Sequence, residues 1–219
     1  MRAHILASLG QLDASELMPI KTKLSHDMLT TLTAGAEVLE EDSLGPKVYK
    51  LANGNFLKLF RRKRLISSAL FVPYSNRFWR NAVRLAELGI PTLTPLELYR
   101  LTNTSLSAVL YQPLQGKTLK EIYLANPDAF VSYLPGLIDF IRKLHHDGIY
   151  FRSLHLGNIV LTPQGALGLI DIADLSFQNR PLSKSKARRN LAHFSRLLES
   201  MDIAEKFPLA ALTSAVLEN

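Results

Sequence analysis

The sequence predicts an α+β fold in two lobes: a small antiparallel β-rich lobe over 36–111, then a mainly helical lobe over 112–219. Three observations predict it. The first half alternates short apolar runs with turn signals, chief among them Asn53-Gly54, a strong two-residue hairpin turn. The second half carries apolar residues at helical spacing, as at Phe130, Leu134, Leu137, Ile138, Ile141 and Leu144. One further hairpin pattern, 158–161 and 167–170 about Pro163-Gln164-Gly165, lies among the helical stretches.

Length and composition set outer bounds. The chain has 219 residues, 47% of them hydrophobic, enough to bury a sizeable core in one domain or two small lobes. It has no cysteine, which excludes disulfides and thiolate metal sites and fits a reducing cytoplasm. The apolar run after Met1 is too short for a signal peptide, and no stretch approaches the roughly 20 apolar residues of a spanning helix. A formal charge of +7 points to anionic partners: a nucleotide, a phosphorylated glycolipid or an anionic membrane surface. Nucleic acid is not the expected partner, because no recognition-helix, zinc or RNA-binding motif accompanies the charge.

In chain order, residues 1–35 read as a packing extension. Asp13 caps a short helix stopped by Pro19, and Ser25 caps another through Met28 and Leu32. Residues 36–39, 48–51 and 56–60 are the strands of a meander, with 40–46 as a loop. Lys58 shares a face with Phe56 and Phe60, leaving Leu57 and Leu59 on the other. A Lys on the apolar face of such a sheet is either a functional cation or, more plainly, an edge-strand Lys that keeps the strand soluble. Arg61-Arg62-Lys63-Arg64 and the apolar residues after it form either a solvated loop or an anion-contacting ridge.

Residues 76–88 read as a helix with Arg77, Arg80 and Arg84 at helical spacing, closed by Gly89. Residues 92–101 and 106–111 are the next strands. Gln112-Pro113-Leu114-Gln115-Gly116-Lys117 breaks the pattern and marks the lobe boundary, after which Thr118 caps a helix. The helix over 128–146 contains Pro135, which should kink or divide it. A basic amphipathic helix follows over 183–201, with Lys184, Lys186, Arg188 and Arg189 near its start, and 209–217 forms a short closing helix.

The chemistry concentrates in 150–175. Asn158 opens the first run of the hairpin and Asp171 follows the second, so folding brings an amide and a carboxylate to one end. Hard oxygen ligands of this kind suit Mg²⁺, which takes one or two protein ligands plus nucleotide phosphates.

Here the sequence resembles a family. The kinase catalytic loop H-R-D-L-x-x-x-N and the later D-F-G map onto Phe151-Arg152-Ser153-Leu154-His155-Leu156-Gly157-Asn158 and Asp171-Ile172-Ala173. The L-H-x-G-N wording resembles the small-molecule branch of that superfamily, where aminoglycoside phosphotransferases and the lipopolysaccharide-core sugar kinases (Kdo and heptose kinases) sit. The resemblance covers 36–200 and implies a two-lobed protein-kinase-like fold using ATP and Mg²⁺. It implies phosphoryl transfer to a sugar hydroxyl of a lipopolysaccharide core or similar anionic glycolipid, at the cytoplasmic face with peripheral inner-membrane contact. On this resemblance Lys58, Gln112 and Leu114 bind nucleotide, Asn158 and Asp171 hold the metal, and Ser153, His155 and Asp171 are the catalytic positions. The large lobe has no A-P-E segment, which argues against a polypeptide substrate.

Two departures matter. Ser153 stands where the family's Asp orients the acceptor hydroxyl, and Phe78 stands where a helix acid would pair with Lys58, with Glu87 too late to serve. The loop before Lys58 also has only Gly45 as a phosphate-cradling glycine. His155, of a type with unperturbed pKa about 6.5, is either a substitute base or a structural hydrogen-bonder. Asp174 is either a metal or substrate contact or a turn cap, and Arg152 braces the loop. The alternative to an active enzyme is therefore a pseudokinase, a nucleotide-sensing or partner-binding module. A nucleic-acid-associated atypical kinase ranks third.

Overall fold

The computed structural model describes residues 19–61, 73–102, 104–200 and 207–218, which form an α+β protein with mixed sheets and six α-helices among the described residues. The helix expected after Asp13 and the basic run 62–64 with its apolar flank lie outside the described residues. The chain divides into two units. One holds the described residues through Glu87 together with Thr94–Gln112; the other holds Leu88–Leu93 and the described residues from Pro113 onward.

The first unit is a six-stranded sheet of β1 (Thr22–Leu24), β2 (Glu37–Asp42), β3 (Gly45–Lys50), β4 (Phe56–Phe60), β5 (Thr94–Leu101) and β6 (Ser107–Gln112), in the order β1-β5-β6-β4-β3-β2. Only β1 and β5 run parallel within it. β1 and α1 (His26–Leu32) come from the expected packing extension, and Ser25 caps α1, its hydroxyl accepting from the Met28 N–H at 3.1 Å. One sheet face buries Leu24, Leu51, Leu57, Leu59, Leu101 and Ala108 beneath Leu29 and Leu32 of α1. The other carries α2 (Tyr74–Glu87), which buries Ser75, Phe78, Asn81, Ala82 and Leu85.

The loop expected over 40–46 is shorter than the sequence suggests, because β2 and β3 continue to Asp42 and Gly45. Acid-rich residues look loop-like, yet here Asp42 is used: its Oδ1 accepts from the Leu44 N–H at 2.9 Å and from Arg61 Nη1 at 2.7 Å. Arg61 also donates to the carbonyls of Leu44 and Pro46, at 2.9 and 3.1 Å. It clamps the hairpin end.

The second unit contains β7 (Lys117–Thr118), α3 (Leu119–Ala125), α4 (Leu134–His146), β8 (Ile149–Phe151), β9 (Ile159–Leu161), β10 (Leu167–Leu169), β11 (Leu175–Phe177), α5 (Lys184–Glu199) and α6 (Leu209–Leu217). Strands β10-β9-β7 make a small sheet and β11-β8 a two-stranded ribbon. Thr118 and Glu121 close a capping box at the start of α3. Pro135 divides the expected 128–146 helix: a 3₁₀ turn over Ala129–Tyr133 precedes it, and α4 starts with Pro135 in its first turn, where the missing N–H has no intrahelical role. Rings of Tyr123, Phe130, Phe194 and Phe207 pack in the core, with centroids 5.2 Å apart for Tyr123 and Phe130. Arg142 fixes α6 by donating to the Ala215 carbonyl at 2.6 Å.

The Leu88–Leu93 segment lies along β10. The Leu169 N–H donates to the Pro91 carbonyl at 2.9 Å, and the Thr92 hydroxyl donates to the Leu169 carbonyl at 2.7 Å. Gly168 permits this approach, since a Cβ there would collide with the Pro91 carbonyl oxygen and with Leu114. Among the described residues no helix is long and apolar enough to cross a membrane.

Candidate functional site

Lys58 sits on β4, between β3 and β6, so the edge-strand account of this lysine does not hold. Its cross-strand neighbours on the same face are Val48 and Val109, both buried. The side chain itself is only 9% exposed, and its Nζ lies 5.8 Å from the centroid of the Phe78 ring. That distance is within cation–π range, worth about 0.5–2 kcal/mol depending on desolvation. Phe78 packs in turn on Phe60 and Tyr111, at centroid distances of 5.3 and 5.4 Å. The residue standing at the expected acid's place thus meets the lysine with a ring face. Glu87 lies at the exposed end of α2, with an oxygen 4.0 Å from Arg84. Gln112 ends β6, exposed and paired with Thr94.

In the second unit, the loop after β8 turns back on itself. Leu154 is buried, and the His155 Nδ1 accepts the Gly157 N–H at 3.0 Å, shaping a 3₁₀ turn over Leu156–Asn158. That nitrogen is therefore committed to the turn and is not placed to take a proton. Burial holds the His155 pKa below its ordinary value, Asp171 pulls it up, and Lys120 pushes it further down. The observed role of His155 is structural.

The hairpin places Asn158 and Asp171 at one end, as expected. β9 and β10 pair with Ile159 opposite Leu169, and the Ile170 N–H donates to the Asn158 carbonyl at 3.0 Å. Asn158 lies in the 3₁₀ turn and not in the strand. Its Nδ2 donates to the Ser153 carbonyl at 2.9 Å, which leaves the amide oxygen as the side-chain atom a ligand could use, although the residue is largely buried. Asp171 is exposed and adopts φ 50, ψ 46, the only non-glycine residue with positive φ among the described residues. Asp is one of the few non-glycine residue types that adopt this left-handed conformation as single residues, since its short polar side chain can bond locally. An amide oxygen and an exposed carboxylate at one strand end fit Mg²⁺, which needs only one or two protein oxygens beside phosphates. Among the described residues no group of three or more His, Cys, Asp or Glu could hold a metal ion.

From Asp171 a second 3₁₀ turn, Ile172–Asp174, leads into β11. The Ser153 hydroxyl donates to Asp174 Oδ2 at 2.6 Å. Leu114 lies half-buried over Gly168 on the β10 side of this hairpin. Behind the loop stands a buried network the sequence reading missed. Asn190 of α5 donates to the Phe151 carbonyl at 2.6 Å, while its Oδ1 meets His145 Nε2 of α4 at 2.9 Å. An Asn and a His on the inner faces of two amphipathic helices were the only signal available for it.

Arg189, His193 and Arg196 follow one another along a side of α5, and the charges acting on His193 include Arg152 and Asp174. Burial and then these arginines hold the His193 pKa low. No acid occupies the first turn of α5, where Lys184 and Lys186 stand instead. Cations there oppose the helix dipole; Lys186 Nζ is used in donating to Gln178 Oε1 at 2.9 Å. Compared with models of known protein families and with curated proteins, the chain matches none.

Proposed function

We propose that the protein is kinase-like and transfers a phosphoryl group from ATP to a hydroxyl of an anionic glycolipid, in the manner of the lipopolysaccharide-core sugar kinases. The observation that carries this reading is the hairpin end, where Asn158 has an amide oxygen and Asp171, on left-handed backbone, an exposed carboxylate. The order of elements supports it too: a meander whose third strand bears a buried Lys, a helix, two strands, then the looped hairpin. Lys58 would neutralise nucleotide phosphates, and Gln112 and Leu114 would flank the base. Bound Mg²⁺ would draw charge from the transferring phosphoryl group, a reaction that depends mainly on positioning and electrostatics. The basic stripe of α5 would hold phosphates already on the acceptor, which suits a peripheral place at the cytoplasmic membrane face.

The second reading is a pseudokinase, favoured by Ser153 and Phe78 in place of two acids. One experiment separates them. Thermal unfolding is followed with MgATP and with ATP plus chelator, and ATP turnover is measured with deep-rough lipopolysaccharide in mixed micelles. The enzyme reading expects a Mg²⁺-dependent shift, lost in Asp171→Asn, and ADP formed in step with phosphorylated glycolipid. A shift without ADP formation would favour the pseudokinase, and no shift at all would overturn both.

A further inference from the structure

We propose that Ser153 and Asp174 act as one acceptor-activating unit, the Ser153 hydroxyl meeting the acceptor hydroxyl and passing its own proton to Asp174. The proposal rests on the phosphotransferase reading above. The acid absent from the loop stands one hydrogen bond behind it.

The pair is built into the backbone. β8 and β11 are antiparallel with Phe151 opposite Leu175, so the residues just after Phe151 face those just before Leu175. The left-handed Asp171 starts the turn that ends on Asp174. Ser153 is held from a second side, because its carbonyl takes the Asn158 amide at 2.9 Å. Ser153 Oγ lies 2.6 Å from Asp174 Oδ2, a direct hydrogen bond between the loop hydroxyl and the carboxyl behind it. A serine hydroxyl has one donor and two acceptor lone pairs. The donor goes to Asp174, which leaves the lone pairs as the acceptor sites for an incoming hydroxyl.

Protons and electrons balance. The acceptor oxygen forms a bond to the γ-phosphorus while the bond from that phosphorus to the β–γ bridging oxygen breaks, and ADP leaves with the electron pair. The acceptor's proton moves to Ser153 Oγ as the Ser153 proton moves to Asp174 Oδ2. Ser153 ends unchanged, and Asp174 returns its proton to solvent after release. Arg152, next to Ser153 in the chain, acts with Arg189, Arg196 and Asp174 on His193 of α5, so cations gather on this side of the Ser153–Asp174 pair. The acceptor therefore carries its own phosphate or carboxylate close to the hydroxyl that reacts.

The test is steady-state kinetics of the full chain with MgATP and deep-rough lipopolysaccharide, alongside MgATP binding by calorimetry. Ser153→Ala and Asp174→Asn should each lower kcat by about 10²–10⁴-fold while KM for ATP and MgATP affinity stay within about threefold. The double variant should be no slower than the slower single one, as for residues acting as a unit. Ser153→Asp combined with Asp174→Asn should recover about tenfold or more over Asp174→Asn, by returning a carboxylate to the loop. Ser153→Ala with near wild-type kcat, or two losses that multiply, would overturn the proposal. A wild-type chain without turnover overturns the phosphotransferase reading itself, whereas an active chain indifferent to these substitutions overturns only this inference. Should Asp174→Asn fail to fold, Ser153→Ala removes a single hydroxyl, and its kcat alone decides.

Discussion

Asn190 Nδ2 donates to the main-chain oxygen of Phe151 at 2.6 Å, although the two residues are far apart in the chain. The same amide's oxygen faces His145 Nε2 at 2.9 Å, which requires that nitrogen to carry the proton. One side chain, 1% exposed, thereby ties α5 and α4 to the strand that feeds the Ser153 loop. Asn190→Leu fills the space but leaves a carbonyl and an imidazole buried without their partner. The expected loss is about 1–3 kcal/mol for each group left unmatched, read from urea unfolding. A loss no larger than that of an exposed substitution such as Gln164→Ala would show the network to be dispensable.

The imidazoles make stability depend on pH. Burial lowers the His145 pKa, only partly offset by the Asn190 hydrogen bond, and burial lowers those of His155 and His193 as well. Below their ordinary value of 6.5 the unfolded chain binds protons that the folded chain refuses. Stability should therefore rise with pH through the window below 6.5 and flatten above it. Glu121 and Asp147 have lowered pKa values and act in a separate window. Thr118 hydrogen bonds lower the first; for the second, burial pushes upward but Lys143 and His146 outweigh it. Their stabilisation is present above the ordinary values of 4.5 and 3.8 and is lost as pH falls through the folded values. Denaturant midpoints between pH 7.5 and 5.5 should fall with pH (~2 units spanning the histidine range), and less steeply in His145→Gln, whose amide can still donate to Asn190.

Gly168→Ala should be costly without any backbone strain to blame. The new methyl group would meet the Pro91 carbonyl and Leu114, so the Leu88–Leu93 segment must lift from β10. Overpacking of this kind costs about 1–3 kcal/mol. Hydrogen exchange at the Leu169 amide, now bonded to Pro91, should speed up well beyond that of the Ile170 amide.

Phe78→Ala removes a ring that is 1% exposed and faces Lys58, Phe60 and Tyr111. Calorimetric unfolding should register about 3–5 kcal/mol, the usual cost of emptying a buried aromatic site. On the phosphotransferase reading proposed above, MgATP affinity should fall in the same variant, since the ring beside the ammonium is gone. Unaltered affinity in a folded variant would mean that Lys58 does not depend on Phe78 for its position.

Much of the first unit was legible because its signals are local. Asn53-Gly54 marks where the β3–β4 connection falls, but residues 51–55 make it longer than the expected two-residue turn, with Gly54 and not Asn53 at positive φ. Ser25 caps α1, as Thr118 caps α3 in the second unit, and alternation put Leu57 and Leu59 opposite Lys58. Pro135 was read as a break in one helix and marks the start of another, since propensity alone does not say on which side of a proline a helix survives. Tertiary contacts were not legible. Nothing near Asp174 in sequence indicates Ser153, and nothing near Arg61 indicates the Asp42 turn it clamps. The Asn158–Asp171 convergence lies between these cases: a hairpin register predicts that the two share an end, though not that Asp171 would be left-handed.

The strip Leu88–Leu93 has a practical consequence for anyone cutting the chain. A fragment starting at Pro113 looks like the natural excision of the helical half, yet it would discard the hexapeptide that hydrogen-bonds along Leu169. Its hairpin would then present bare amide and carbonyl groups to solvent, an invitation to pair with another copy. Restoring monomeric behaviour should take no more than grafting those six residues back through a flexible tether.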